Sequence, residues 1–109
     1  HVIGDVKGRS CLIIDDLVDT ACTLVKAAKA LLDHGAVRTY GCCTHAVLSG
    51  SALDHVESSR LTELVVSDSI PISERAGNCG RIRQLSVAPL LAGAIESIYE
   101  ETSISRLFV

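Results

Sequence analysis

Apolar positions along this chain follow two rhythms, one of strands and one of helices. Ser10 to Ile14 holds an unbroken run (Cys11, Leu12, Ile13, Ile14) without alternation, the pattern of a strand buried on both faces of a parallel sheet. The run stops at Asp15-Asp16. Beyond it Leu24, Ala27, Ala28, Leu31 and Leu32 recur at helical spacing, with Lys26, Lys29 and Asp33 on the wet face. Asp19 and Thr20 are placed to cap that helix and Gly35 to stop it. Residues 37–47 (VRTYGCCTHAV) predict a second interior strand, which completes a strand–helix–strand unit with a right-handed crossover.

Leu48-Ser49-Gly50 reads as a loop, and Ser51 as the cap of a short helix through Ser58 with Leu53 and Val56 inward. Glu63 to Ser67 (ELVVS) predicts a third strand, Asp68 to Gly80 a loop around Pro71, Gly77 and Gly80, and Ile82 to Leu85 a fourth strand. A last helix is expected from Ser86 to near Thr102, tolerating Pro89 in its first turn and burying Leu91, Ala94, Ile95 and Ile98. His1 to Arg9 is a turn-rich lead-in punctuated by Gly4 and Gly8. No repeat or low-complexity segment interrupts the pattern. The expected class is α/β, one domain with a mostly parallel sheet flanked by helices.

Composition narrows the function classes. With 109 residues, 48% hydrophobic but 3% aromatic, the core must be filled by aliphatic side chains. A net charge of −3 and no basic stripe speak against nucleic acid. No apolar run reaches the roughly 20 residues that span a bilayer, so no membrane association is expected. Five cysteines (Cys11, Cys22, Cys42, Cys43, Cys79), odd in number and mostly inside apolar runs, read as reduced thiols of a cytoplasmic protein. No Cys-x-x-Cys pair supports zinc, and Cys42 and Cys43 would point to opposite faces of a strand.

The chemistry concentrates at the end of the first strand, where open parallel sheets bind ligands. Ile13-Ile14-Asp15-Asp16-Leu17-Val18-Asp19-Thr20-Ala21-Cys22-Thr23 joins a buried strand, an acid pair, a hydroxyl-rich turn and a helix start. The first N–H groups of a helix lack internal partners and bind anions. The helix dipole adds only about 0.3–1 kcal/mol per charge, so N–H groups and the Thr20 and Thr23 hydroxyls must supply most of the grip. Ionised Asp15 and Asp16 accept hydrogen bonds only, which suits sugar hydroxyls and repels phosphate. A ligand with a phosphate at one end and a diol at the other satisfies both. Magnesium bridging hydroxyls and pyrophosphate is also compatible with the acid pair. Solvated acids closing a strand are the bland alternative, but they leave the threonine-rich helix start unexplained. The spacing is not the Asp-x-Asp of an aspartyl phosphatase. His34 and His55 read as helix-surface residues, His45 as a structural histidine, and Arg75, Arg81 and Arg83 as solvated loop cations.

This segment resembles the phosphoribosyl-pyrophosphate binding motif, and its surroundings resemble the ribose-phosphate pyrophosphokinase family. The matching stretches are Gly4 to Gly8, Thr44 to Gly50, Val65 to Pro71 and Ser103 to Phe108. The resemblance implies a partial type I phosphoribosyltransferase-like fold. It also implies transfer of diphosphate from ATP to ribose 5-phosphate, with magnesium, to give PRPP and AMP. By the same resemblance Asp15 and Asp16 hold ribose hydroxyls, and Asp19, Thr20, Ala21, Cys22 and Thr23 wrap the 5-phosphate. Ser103, Ile104, Ser105 and Phe108 match a regulatory phosphate site, and the family forms homo-oligomers.

Departures from the family pattern shape the expectation. Cys22 stands where the motif has Gly; if that position needs φ > 0, cysteine costs about 1–2 kcal/mol there. Ala46 replaces a Gly and Ser51 a Pro. Family members are about three times as long, and their ATP-contacting half and basic catalytic loop precede the point where this chain starts. His1 is therefore expected to be an internal position of a longer parent. Residues 1–109 would be the carboxy-terminal, ribose-5-phosphate-binding part, inactive alone and exposing an apolar face that self-associates. The alternative is a non-catalytic binding or assembly module that keeps the fold.

Overall fold

A computed structural model describes Val2 and residues 4–108. His1 and Ile3, part of the expected lead-in, lie outside the described residues. Four strands form one parallel sheet in the order β1-β2-β3-β4: β1 Ser10–Val18, β2 Arg38–Ala46, β3 Glu63–Ser67 and β4 Ile82–Leu85. The crossovers carry α1 Cys22–Asp33, α2 Ala52–Ser58 and a one-turn helix α3 Glu74–Gly77. After β4 come α4 Ala88–Tyr99 and a 3-10 turn, Ile104–Phe108. The α/β class and the parallel sheet are as the sequence predicts.

One face of the sheet is built as a core. Leu24 and Ala28 of α1, Ala52 and Val56 of α2, and Cys43, Leu64 and Val66 of the strands form a single buried cluster. Gly41 makes this packing possible, because a Cβ there would meet Leu64 Cδ1 at 3.0 Å and Leu24 Cδ1 at 3.2 Å. The helices share that face because successive right-handed crossovers between neighbouring parallel strands all pass on one side.

The opposite face is uncovered, which corrects two expectations. Leu12 and Ile14 were expected to be buried but are 59% and 75% exposed, since only alternate β1 residues (Cys11, Ile13) meet the helices. The stripe Leu91, Ala94, Ile95 and Ile98 was expected to be core, yet Ile95 and Ile98 are 67% and 65% exposed. The reason is placement. Helix α4 packs on the 3-10 turn rather than on the sheet: Gly93 admits Leu107, and buried Ser97 takes the Arg106 guanidinium at 3.0 Å.

Other differences are local. β1 runs through Asp15-Asp16 to Val18, because its pairing with β2 continues to Val18↔Ala46. The 68–80 segment holds α3, started by Ser73, whose hydroxyl accepts from Ala76 N–H at 3.1 Å. The last helix begins at Ala88 and ends at Tyr99, two residues late and three early. Ser51 stands at the start of α2 but makes no side-chain cap bond. The loop arginines have partners. Arg75 pairs with Asp54 at 2.7 Å and Glu57 at 3.2 Å, Arg83 with Glu63 at 3.4 Å, and Arg81 donates to the carbonyls of Ser59 and, at 3.2 Å, Leu61. Arg81 thereby ties β4 to the exit of α2, where unpaired carbonyls need donors.

Candidate functional site

The site grows from the geometry of the β1–α1 junction. α1 starts without a side-chain cap, so neither Asp19 nor Thr20 performs the expected capping. Instead Ala21 occupies the N-cap position at φ 67°, ψ 4°, a left-handed conformation that turns the chain sharply from strand into helix. The strained position is thus Ala21, and Cys22 is the first residue of the helix; the expected left-handed strain at Cys22 is not there.

The first bond inward is from Val25 N–H to Ala21 O at 3.0 Å. The N–H groups of Cys22, Thr23 and Leu24 therefore have no acceptor within the helix. These three residues, with Asp15, Leu17, Val18, Asp19, Thr20 and Ala21, line a cavity of about 210 Å³. Six of the seven loop residues named from sequence converge there: Asp15, Asp19, Thr20, Ala21, Cys22 and Thr23. Asp16 is the exception. As the next residue of an extended strand it projects to the other face, and its N–H bonds Asp15 Oδ1 at 2.8 Å. The chain-end residues Ser103, Ile104, Ser105 and Phe108 lie on and beside the 3-10 turn and take no part in this cavity; the Ser103 and Ser105 hydroxyls are 2.6 Å apart.

Two residues to which sequence reasoning gave no part in the site, Ser49 read as loop and His55 as helix surface, hold the loop. Ser49, in the loop after β2, donates its hydroxyl to Asp19 Oδ1, and its N–H bonds Asp19 O at 3.0 Å. Val47 and Leu48 N–H both reach Val18 O, at 3.0 and 3.1 Å, so the two loops are sewn together. The available signal was parallelism: adjacent parallel strands bring consecutive strand-to-helix loops to the same edge. His55 of α2 is the second. Its Nδ1 lies 2.8 Å from Thr20 O and 3.5 Å from Cys22 Sγ. A carbonyl only accepts, so Nδ1 carries the proton, and the thiol sulfur meets the same N–H. His45 is satisfied as expected, beside Ser69 Oγ at 2.9 Å.

Charge around the site is set by separate contacts. Asp68 accepts from Val87 N–H at 2.9 Å, and that bond, with one from Ser86, holds its carboxyl below the ordinary range. Burial pushes the Cys43 thiol up, with neighbouring Cys42 adding to the shift. Among the described residues no group of three or more His, Cys, Asp or Glu side chains is assembled to hold a metal ion. Magnesium, however, is commonly held by one or two carboxylates together with substrate oxygens. Exposed Asp15 at the cavity could supply one such carboxylate, whereas Asp16 faces away from it. No described helix is long and apolar enough to cross a membrane.

Comparison with known proteins agrees with this geometry. A family described as "Phosphoribosyl synthetase-associated domain" matches residues 1–109. A "Ribose-phosphate pyrophosphokinase" of Bordetella pertussis is 56% identical over 108 residues, covering 99% of this chain and 35% of that protein. One from Xanthomonas axonopodis pv. citri is 53% identical over 109 residues, 100% of this chain and 34% of its own length. Among solved structures, the phosphoribosylpyrophosphate synthetase from Mycobacterium smegmatis matches with a TM-score of 0.84 and 35% identity, over 91% of this chain and 33% of that one. The chain spans about a third of the length of the curated relatives it matches.

Proposed function

The chain belongs to the phosphoribosyl synthetase-associated domain family, and on that premise we propose that residues 1–109 are the ribose-5-phosphate-binding part of a ribose-phosphate diphosphokinase. The reaction is transfer of diphosphate from ATP to the anomeric hydroxyl of ribose 5-phosphate, giving PRPP and AMP, in the cytoplasm. The observation that carries the reading is the cavity over the start of α1, where three unpaired N–H groups and two threonine hydroxyls meet an acid on the neighbouring strand.

In this reading the 5-phosphate rests on the N–H groups of Cys22, Thr23 and Leu24, with Thr20 and Thr23 hydroxyls as further donors. Asp15 accepts hydrogen bonds from ribose hydroxyls, while Asp16, turned to the other face of β1, takes no part in this cavity. Asp19 acts on the loop itself, because the Ser49 hydroxyl donates to its carboxylate and fixes the turn. Magnesium, when bound, would neutralise pyrophosphate charge, and Asp15 is the acid of the strand end that would face it. At the chain end, Ser103 and Ser105, with Ile104 and Phe108, would meet a regulatory phosphate. ATP is handled by residues that this chain does not supply, so catalysis needs the rest of a longer protein like the relatives.

Calorimetric titration of the purified chain with ribose 5-phosphate tests the reading. Binding is expected, weakened at least tenfold by Asp19→Ala and by Thr23→Ala, which corresponds to about 1.4 kcal/mol or more. No PRPP should form from ATP and ribose 5-phosphate with the chain alone. Absence of binding, or binding untouched by both substitutions, would remove the assignment of the loop; PRPP formation would remove the division of labour.

A further inference from the structure

His55 reaches the β1–α1 loop from outside it, and what it holds there is a single peptide. Its Nδ1 lies 2.8 Å from Thr20 O, the carbonyl of the peptide that joins Thr20 to Ala21. That peptide is trans and planar, so its C=O and N–H point in opposite directions. Drawing the Thr20 carbonyl toward α2 therefore turns the Ala21 N–H the other way. Among the described residues that N–H meets no acceptor within the chain. The imidazole arrives on a firm support, since Ala52 and Val56 of α2 are fully buried in the core cluster.

The backbone that follows gives this orientation its consequence. Ala21 is left-handed at φ 67°, and Cys22 after it is the first residue of right-handed α1. A change of hand between neighbours curls successive N–H groups round one concavity, which favours an anion. The Ala21 N–H thereby stands with those of Cys22, Thr23 and Leu24, and all four residues line the cavity of about 210 Å³. The torsions beside the peptide, ψ of Thr20 and φ of Ala21, also set what happens if it turns over. Half a turn carries Ala21 to negative φ, which L-residues prefer, and brings the Thr20 carbonyl round to where the Ala21 N–H stood. An oxygen there would present its lone pairs to the anion. The strain relieved by that turn and one hydrogen bond are of the same order, so a single well-placed donor decides between the two orientations.

We propose that His55 is a positioning residue of the phosphate loop: its Nδ1–H locks the Thr20–Ala21 peptide with the Ala21 N–H toward the anion and the Thr20 carbonyl away from it. For its ligand the proposal rests on the reading of the loop as the ribose 5-phosphate site. The lock itself is a property of the free chain and can be read without ligand.

His55→Phe keeps a ring and removes the donor, whereas His55→Asn puts an amide nitrogen where Nδ1 stood. In NMR of the free, isotope-labelled chain, cross-relaxation between the Ala21 amide proton and its own Hα is strong at positive φ and weaker at negative φ. It should fall in His55→Phe and return in His55→Asn. Calorimetric titration with ribose 5-phosphate should find the dissociation constant raised at least about tenfold by His55→Phe and within about threefold of the parent in His55→Asn. Circular dichroism checks that the half-buried position tolerates both side chains, and His55→Leu replaces His55→Phe if the larger ring does not fold. An unchanged Ala21 signal in the donorless variant overturns the lock, whatever the ligand does. A changed signal with unchanged affinity overturns the positioning role, and so does a loss that His55→Asn fails to restore, because packing would then be its cause. A parent chain that binds no ribose 5-phosphate removes the proposed ligand, and the Ala21 signal alone then upholds or overturns the lock.

Discussion

Valine placed at Ala21 and at Cys22, one at a time, separates the strained position of the loop from its neighbour. Ala21 holds φ 67° and is 4% exposed, whereas Cys22 is exposed and opens α1. An L-residue in the left-handed region carries about 1–2 kcal/mol of strain, and a β-branched one more. Valine also forces two methyl groups into a closed space, where overpacking costs about 1–3 kcal/mol. Ala21→Val should therefore lose about 3 kcal/mol. Cys22→Val gives up only the thiol contact with His55 and a little helix propensity, about 0.5 kcal/mol.

In a domain near 100 residues, 1 kcal/mol moves Tm by about 4–8 °C, so the two variants should melt more than about 10 °C apart in far-ultraviolet circular dichroism. Glycine supplies the opposite arm. Ala21→Gly sheds the strain but loses a buried methyl and gains unfolded-chain entropy, which leaves it within about 1 kcal/mol of the parent. Cys22→Gly has no strain to shed and should fall by about 0.5–1 kcal/mol. Equal losses for the two valines, or the larger loss at Cys22, would refute the placement of the left-handed residue.

Two further outcomes are expected. The junction between β4 and α4 should be acid-sensitive through Asp68. Its folded carboxyl is depressed by the Val87 N–H, so its contribution is complete above the unfolded value of about 3.9 and is lost as pH falls from there through the folded value. Asp68→Ala should therefore melt lower near neutrality and show a flatter Tm profile between about pH 5 and 3; parallel profiles would speak against it. Iodoacetamide labelling followed by mass spectrometry should modify exposed Cys22 before buried Cys43, whose thiol is pushed up by burial. Ribose 5-phosphate should slow the labelling of Cys22 alone, and comparable rates for the two cysteines in the free chain would contradict the burial pattern.

The family pattern of the loop was legible because each of its parts is a local signal. An apolar run, two acids, a hydroxyl-rich turn and a helical stripe need no knowledge of the rest of the chain. β3 and β4 were legible for the same reason, being short runs bounded by turn residues. Their ends were not always so. Nothing local told β1 to continue through Asp15-Asp16, because the hydrogen bonds that extend it come from β2. The role of Ser49 was likewise hidden, since its link to Asp19 spans 30 positions of chain and exists only once two parallel strands align their loops.

By itself, the sequence determined the α/β alternation and the parallel sheet, products of periodicity and of residues with strong backbone preferences, while the loop residues at the start of α1 were read from their resemblance to a family motif. Tertiary structure alone decided which apolar faces are covered. An aliphatic stripe has the same pattern whether or not a partner lies opposite it, so Leu24 and Ile95 look alike in sequence. One is 7% exposed and the other 67%, because α1 closes on the sheet while α4 is held by the 3-10 turn through Ser97 and Arg106. Left-handed backbone at Ala21 was a decision of the same kind: the angle between strand and helix is fixed by packing on both, and the residue standing at the corner takes the φ that the corner requires.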